Sequence, residues 1–165
     1  RVDLRIERGA SPSWRRRRAL CLFAEKAVKQ AFHTVRVSTH GPGLYEFTDA
    51  LAKFAAAEKI QDGLLTCFVR HTSASLLVQE NADPDVQKDL RDFFAQLVRK
   101  GMDFRHTAEG PDDMPSHIRS ALTATSIAIP VRGGKPMLGT WQGLYLFEHR
   151  DAPHSREVVL HYIGD

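Results

Sequence analysis

From Lys29 onward the chain alternates between strand-like and helix-like spacings of apolar residues. Lys29-Gln30 opens an orderly strand-like segment, and Thr34-Val35-Arg36-Val37-Ser38-Thr39 alternates and is rich in β-branched residues, so it reads as a strand. Gly41-Pro42-Gly43 is a turn, and Leu44 to Phe47 extends a second strand. Thr48 is expected to cap a helix running to about Lys59, with Asp49 in its first turn and Leu51, Phe54 and Ala55 on one stripe. Asp62-Gly63 breaks the chain. Leu64 to Val69 then reads as a buried strand and Ser75 to Gln79 as another.

Asp83-Pro84 is a helix start, with an N-capping carboxylate followed by proline at the first helical position. Val86, Leu90, Phe93, Phe94 and Leu97 follow at helical spacing, which predicts an amphipathic helix ending near Gly101. Ser116 is expected to cap a short helix through Leu122. Three strands follow at Ser126 to Val131, Gly143 to His149 and Arg156 to Ile163, with turns at Gly133-Gly134 with Pro136 and at Asp151-Ala152-Pro153. Unequal helices between strands, closed by a run of strands, predict an α+β fold rather than a regular βαβ repeat. The chain carries no internal repeat.

Composition adds bounds rather than an identity. The 165 residues fit one domain, with 42% hydrophobic and 26% charged residues, ordinary for a globular protein. Cys21 and Cys67 are too few for a disulfide framework and form no CxxC pair, so a reducing compartment and a cytoplasmic location are expected. Cys67 sits in an apolar run and reads as a small buried hydrophobe. The net charge of +3 is unevenly spread. Residues 1–28 hold eight basic and three acidic residues, net +5, which leaves −2 for residues 29–165. The body therefore lacks a general attraction for phosphate backbones, and no nucleic-acid partner is expected. No stretch reaches the about 20 apolar residues of a membrane span, so no membrane partner is expected either. For the basic segment 1–28 three readings stay open: a disordered arm, an added helix, or sequence upstream of the native start, with Val28 at a non-AUG codon. Residues 29–165 are read as a single domain.

Four clusters could carry chemistry. Arg70-His71-Thr72-Ser73-Ala74-Ser75 lies between two strands, where hydroxyls either hold a phosphate or close a turn. Glu80-Asn81-Ala82-Asp83-Pro84 puts carboxylates and an amide at a strand-to-helix junction. The loop from His106 to His117 holds two histidines, Glu109 and two aspartates, groups that suit zinc, iron or manganese and could equally serve as acid and base. Gly139-Thr140-Trp141-Gln142-Gly143 offers a flat stacking face and an amide, and Glu148-His149-Arg150 follows, where an ion pair between Glu148 and Arg150 is the plain account.

The stretches HTSASLLVQENADPDV at 71–86, HTAEGPDDMPSHIRSAL at 106–122 and GTWQGLYLFEHR at 139–150 resemble the YjbQ family, whose members are also labelled secondary thiamine-phosphate synthases. The resemblance spans about residues 29–165. Its most specific signature is GTWQG with Ser126, Ile127 and Gly134 upstream, and no departure is seen at His71, Glu80, Asn81, His106, His117, Trp141, Gln142, Glu148 or Arg150. The resemblance implies an α+β fold with antiparallel strands in a sandwich-like pair of sheets flanked by two main helices. It also implies a homotrimer with sites near subunit interfaces. The implied activity joins hydroxymethylpyrimidine diphosphate to a thiazole phosphate with release of pyrophosphate. On that reading His71, His106 and His117 surround a divalent metal (Mg, Zn, Mn or Fe) or a substrate phosphate. His71, His117, Glu109 and Glu148 are the candidate catalytic groups, with Glu109 or Glu148 as acid or base. Arg150 would hold phosphate, Trp141 and Gln142 the ring, and Thr72, Ser73, Glu80 and Asn81 the rest of a phosphorylated small molecule. A histidine-rich set suits a transition metal better than Mg²⁺, which makes a metal-dependent hydrolase a rival. A non-catalytic trimeric binding module is a third reading.

Overall fold

The computed structural model describes residues 27–165. The basic segment and Cys21 fall outside these residues, apart from the last two positions of the segment. Eight strands and three helices follow in the order β1 (Lys29–Ser38), β2 (Gly43–Glu46), α1 (Thr48–Glu58), β3 (Gly63–Val69), β4 (Ala74–Glu80), α2 (Pro84–Leu97), α3 (Asp113–Leu122), β5 (Ser126–Arg132), β6 (Lys135–Pro136), β7 (Gln142–Glu148) and β8 (Ser155–Gly164). All strand pairs are antiparallel, in a five-stranded sheet ordered β1-β8-β3-β5-β6 and a three-stranded sheet ordered β2-β7-β4. The α+β class and the pair of sheets are as the sequence implied, with a third helix of ten residues beside the two main ones.

The core lies between the sheets. Leu65, Cys67 and Val69 of β3, Val158, Leu160 and Tyr162 of β8, and Ile129 and Val131 of β5 face Ala74 and Leu76 of β4 and Leu144 and Leu146 of β7. Leu51, Phe54 and Ala55 of α1 join them, the stripe read from the sequence. Cys67 is fully buried, which pushes its thiol up to about 12, the unreactive state its apolar run predicts.

Strand β7 is apolar at successive positions because both of its faces are covered. One meets the core. The other lies under α2, whose Phe94 packs edge-on against Phe147 at 5.4 Å and whose Gln87 donates to the Tyr145 hydroxyl at 3.3 Å.

Four local expectations need correction. Thr48 does not cap α1, because its hydroxyl bonds Glu46 at 2.7 Å and accepts the Leu144 amide at 2.9 Å, so it ties the helix to β7 instead. Ser116 lies inside α3, which begins at Asp113; its hydroxyl sits between the carbonyls of Asp112 (2.6 Å) and His149 (2.7 Å). Helix α2 starts at Asp83-Pro84 as read but stops at Leu97, four residues short of Gly101. Strand β3 is buried on one face only, leaving Leu64 and Phe68 exposed.

Candidate functional site

Helix α3 begins beneath the loop that carries His106 and against the end of β7. Asp113, its first residue, is 1% exposed, and its carboxylate is the meeting point of the loop. His106 Nε2 lies 2.6 Å from Asp113 Oδ2, and His117 Nε2, one helical turn along, lies 3.2 Å from the same oxygen. The other oxygen, Oδ1, takes a hydrogen bond from Arg150. The three side chains place one donor atom each within 4.8 Å of one another.

Two of the three members are fixed from outside the cluster. His117 Nδ1 lies 3.0 Å from the Thr72 carbonyl. A carbonyl only accepts, so Nδ1 carries a proton and a neutral His117 presents the Nε2 lone pair to the carboxylate. Arg150 is spread over three partners: Asp113, Asp112 at 2.9 Å and the Glu109 carbonyl at 2.9 Å. Asp112 also accepts the Asp151 amide at 3.0 Å. Burial works to raise the Asp113 carboxyl, but the His106 hydrogen bond, then the Arg150 charge and the charges the two imidazoles carry when protonated outweigh it and hold it below the usual carboxylate range. Asp112 is likewise held low. Burial opposes this, and the Asp151 amide and Arg150 prevail.

A cleft of about 340 Å³ opens beside His106, walled by Met102, Phe104, Pro111, Met114 and Pro115. The donor set of two imidazoles and a carboxylate is that of zinc, iron or manganese centres, not of Mg²⁺.

The remaining sequence candidates sit elsewhere. His71 is outside the cluster, where Asp113 takes the third place. Its Nε2 accepts the Glu157 amide at 2.9 Å, so a neutral ring carries its proton on Nδ1, which faces Arg156 at 3.4 Å. Burial, then the Arg156 charge, lowers its proton affinity against the opposing pull of Glu148 and Glu157. Glu148 is fully buried in an ion pair with Arg156 at 2.6 Å, and it also accepts Thr39 Oγ1 at 2.9 Å and the amides of His149 and Arg150, both at 3.0 Å. Burial would raise this carboxyl, but Arg156 and these donors keep it low and charged. Glu148 therefore pairs with Arg156 and not with Arg150. Ser73 accepts from Arg156 at 3.1 Å. Glu109 is exposed, 3.9 Å from Arg150.

Glu80, Asn81, Trp141 and Gln142 gather at the other end of the three-stranded sheet. Glu80 pairs with Gln142 in register, and the Asn81 amide donates to the Trp141 carbonyl at 3.0 Å. Ala74 pairs with Glu148 at the histidine end. Six residue steps along β4 separate the two ends, about 20 Å at roughly 3.4 Å each. Within one chain the GTWQG turn and the histidine loop do not touch. Gln142 closes the turn by accepting the Gly139 amide at 2.8 Å, and Trp141 is 65% exposed. From the sequence, Asp112 and Asp113 were only the two aspartates of the 106–117 loop, with no individual role, and Arg156 only the start of a strand. The one available signal was the spacing of Asp113 four residues before His117.

A family profile described as UPF0047 protein YjbQ-like matches residues 33–165. The UPF0047 protein sll1880 of Synechocystis is 54% identical over 130 residues, covering 78% of this chain and 88% of its own length. The UPF0047 protein YjbQ of Escherichia coli O157:H7 is 40% identical over 133 residues, 80% of this chain and 96% of its own. Among solved structures, a YbjQ-like protein of unknown function from Sulfolobus solfataricus superimposes with a TM-score of 0.78 at 22% identity, over 84% of this chain and all of the other, which bears on the fold alone. A yjbq/upf0047 family protein from Clostridium acetobutylicum does so with a TM-score of 0.71 at 32% identity, over 77% and 97%. With the profile matched along nearly all of the described residues, this chain belongs to the YjbQ (UPF0047) family.

Proposed function

We propose that the chain is a metal-dependent enzyme acting on a phosphorylated small molecule, with His106, Asp113 and His117 as ligands of a divalent transition metal. The observation that carries this reading is the setting of His117, with Nδ1 3.0 Å from the Thr72 carbonyl and Nε2 3.2 Å from the Asp113 carboxylate. With Nδ1 donating to the carbonyl, Nε2 and the carboxylate repel each other unless a proton or a cation lies between them. A metal there would supply Lewis acidity and an activated water. The chain's own residues set the frame. Arg150 orients Asp113, Thr72 orients His117, and Met102, Phe104, Pro111, Met114 and Pro115 give the cleft beside His106 an apolar wall. A hydrolase fits best, because the Arg150 guanidinium is committed to Asp112, Asp113 and the Glu109 carbonyl rather than open to a leaving pyrophosphate.

The thiamine-phosphate synthase reading keeps one observation in its favour. Phe104 and the two methionines of the cleft suit a flat heteroaromatic ring. Homotrimer formation belongs to the same proposal. Phe32, Leu64, Phe68 and Ile163 leave apolar surface on the outside of the five-stranded sheet, and a second subunit is one way to bring a GTWQG turn to a histidine cluster. A cytoplasmic location fits the unpaired, buried Cys67, and no helix among the described residues is long and apolar enough to cross a membrane.

The test is elemental analysis of untagged protein with a panel of phosphate esters. Roughly one zinc, manganese or iron per chain is expected, with metal content falling at least about 10-fold in Asp113→Asn and His117→Ala together with ester turnover. Metal-free wild-type protein, with His117 doubly protonated by NMR, would overturn the reading. Metal-free protein that also fails to restore a thiamine auxotroph would leave the non-catalytic binding module.

A further inference from the structure

The end of β7 faces two ways. Arg150 reaches Asp113 and the histidine loop, whereas His149 lines a separate cleft of about 320 Å³ beneath α2. Phe94 and Phe147 give that cleft an apolar wall, and Lys100 and Asp151 stand among its lining residues as an ion pair at 2.6 Å. Arg119 of α3 lines it as well.

Two buried polar atoms of these lining residues have no partner: Arg119 Nε and His149 Nδ1. The residues are 5% and 1% exposed. The Arg119 guanidinium is held at one corner, where it donates to the Val98 carbonyl at 2.6 Å. Among the described residues it makes no ion pair. Asp112 and Asp151 lie within its field, but Asp112 is bonded to Arg150 and Asp151 to Lys100. A buried guanidinium without a counter-ion is costly. On the histidine, Nε2 lies 2.9 Å from the Ser75 hydroxyl. When that hydroxyl donates, the ring proton sits on Nδ1, leaving a second unmatched donor. The two residues are close enough for the Arg119 charge to oppose protonation of the ring.

We infer that this cleft binds a small oxyanion, a carboxylate or phosphate group carrying an apolar body. Arg119 Nε–H and His149 Nδ1–H are its donors, and Phe94 and Phe147 its apolar contacts. An oxyanion supplies the missing charge and accepts both protons, and a carboxylate or phosphate has the two oxygens this requires. The site is independent of the metal proposal, since none of its residues belongs to the His106–Asp113–His117 cluster.

The experiment uses wild-type protein labelled with ¹⁵N. Inorganic phosphate, acetate and benzoate are titrated separately while the side-chain Arg119 Nε–H and His149 Nδ1–H resonances are followed. Saturable shifts of both are expected, with benzoate tighter than acetate if the source is a carboxylate and phosphate tighter than both if it is a phosphate. Melting temperature should rise with the same ligand. His117→Ala should keep the response and Arg119→Met should lose it. No shift of either resonance with any of the three up to tens of millimolar, well above the about 1 mM of a weak site, overturns the proposal. So does an Arg119→Met protein that binds as tightly as wild type. The resonance test stands even if that variant fails to fold.

Discussion

Glu148, His149 and Arg150 are consecutive, ionisable and held in three different ways. Glu148 is charged because Arg156 and three other donors outweigh its burial. His149 is neutral because burial, then Arg119, outweighs the pull of Glu148, and its pKa falls to about 3. Arg150 keeps its charge through Asp112 and Asp113. The histidine has a measurable consequence. Its folded pKa lies below its unfolded value of 6.5, so between about pH 6.5 and 3 the unfolded chain binds a proton that the folded chain refuses. The stability contributed by the neutral ring is full above pH 6.5 and is lost as pH falls through that window, by up to about 1.4 kcal/mol per unit. Urea unfolding from pH 7 to 4 should show this slope, and His149→Phe should flatten it between pH 6.5 and 5, above the range in which the carboxylates titrate. An unchanged slope would place the acid sensitivity elsewhere.

The elements act as braces for these side chains. Ser116 ties the first turn of α3 to the end of β7, which sets the height of Asp113 against Arg150. Gly143 of the GTWQG turn is a packing glycine, since a Cβ there would come within 2.7 Å of Glu46 Oε1 and 3.0 Å of the Tyr145 ring. Gly63 is tighter still. A Cβ would strike the Ile163 carbonyl and lie 2.8 Å from the Gly164 Cα, both backbone atoms that cannot swing aside. Gly63→Ala is expected to pry β3 from β8 and destabilise the fold by about 1–3 kcal/mol in chemical denaturation, with metal content unchanged in the folded fraction. Equal stability would mean that the β3–β8 register slides freely.

At the scale of the molecule, the histidine cluster and the GTWQG turn occupy opposite ends of the β4–β7 pair. A homotrimer is expected by sedimentation velocity. Phe32→Glu with Phe68→Glu should yield monomers if the outer face of the five-stranded sheet is the contact. If Phe93→Asp with Leu97→Asp dissociates the trimer instead, the exposed apolar residues of α2 are the interface.

Local pattern was enough for the features that depend on local physics. Alternation marked the strands, Asp83-Pro84 the start of α2, and the apolar run around Cys67 its burial. The boundaries that moved were those set by distant partners. Thr48 gives up capping α1 for a bond to β7, and Ser116 lies inside α3, bonded to the His149 carbonyl just past the end of β7. Which carboxylate meets which cation was decided only in three dimensions. Alternation predicts that Glu148 and Arg150 share a strand face, yet β7 ends at Glu148, and Arg156 and Asp113 claim the two side chains across 8 and 37 residues of chain. A period-two pattern reports which side a residue points to and carries no information about what packs against that side, so the place of Asp113 between the two histidines and the unpartnered Nε of Arg119 became visible only once the strands and α3 had met.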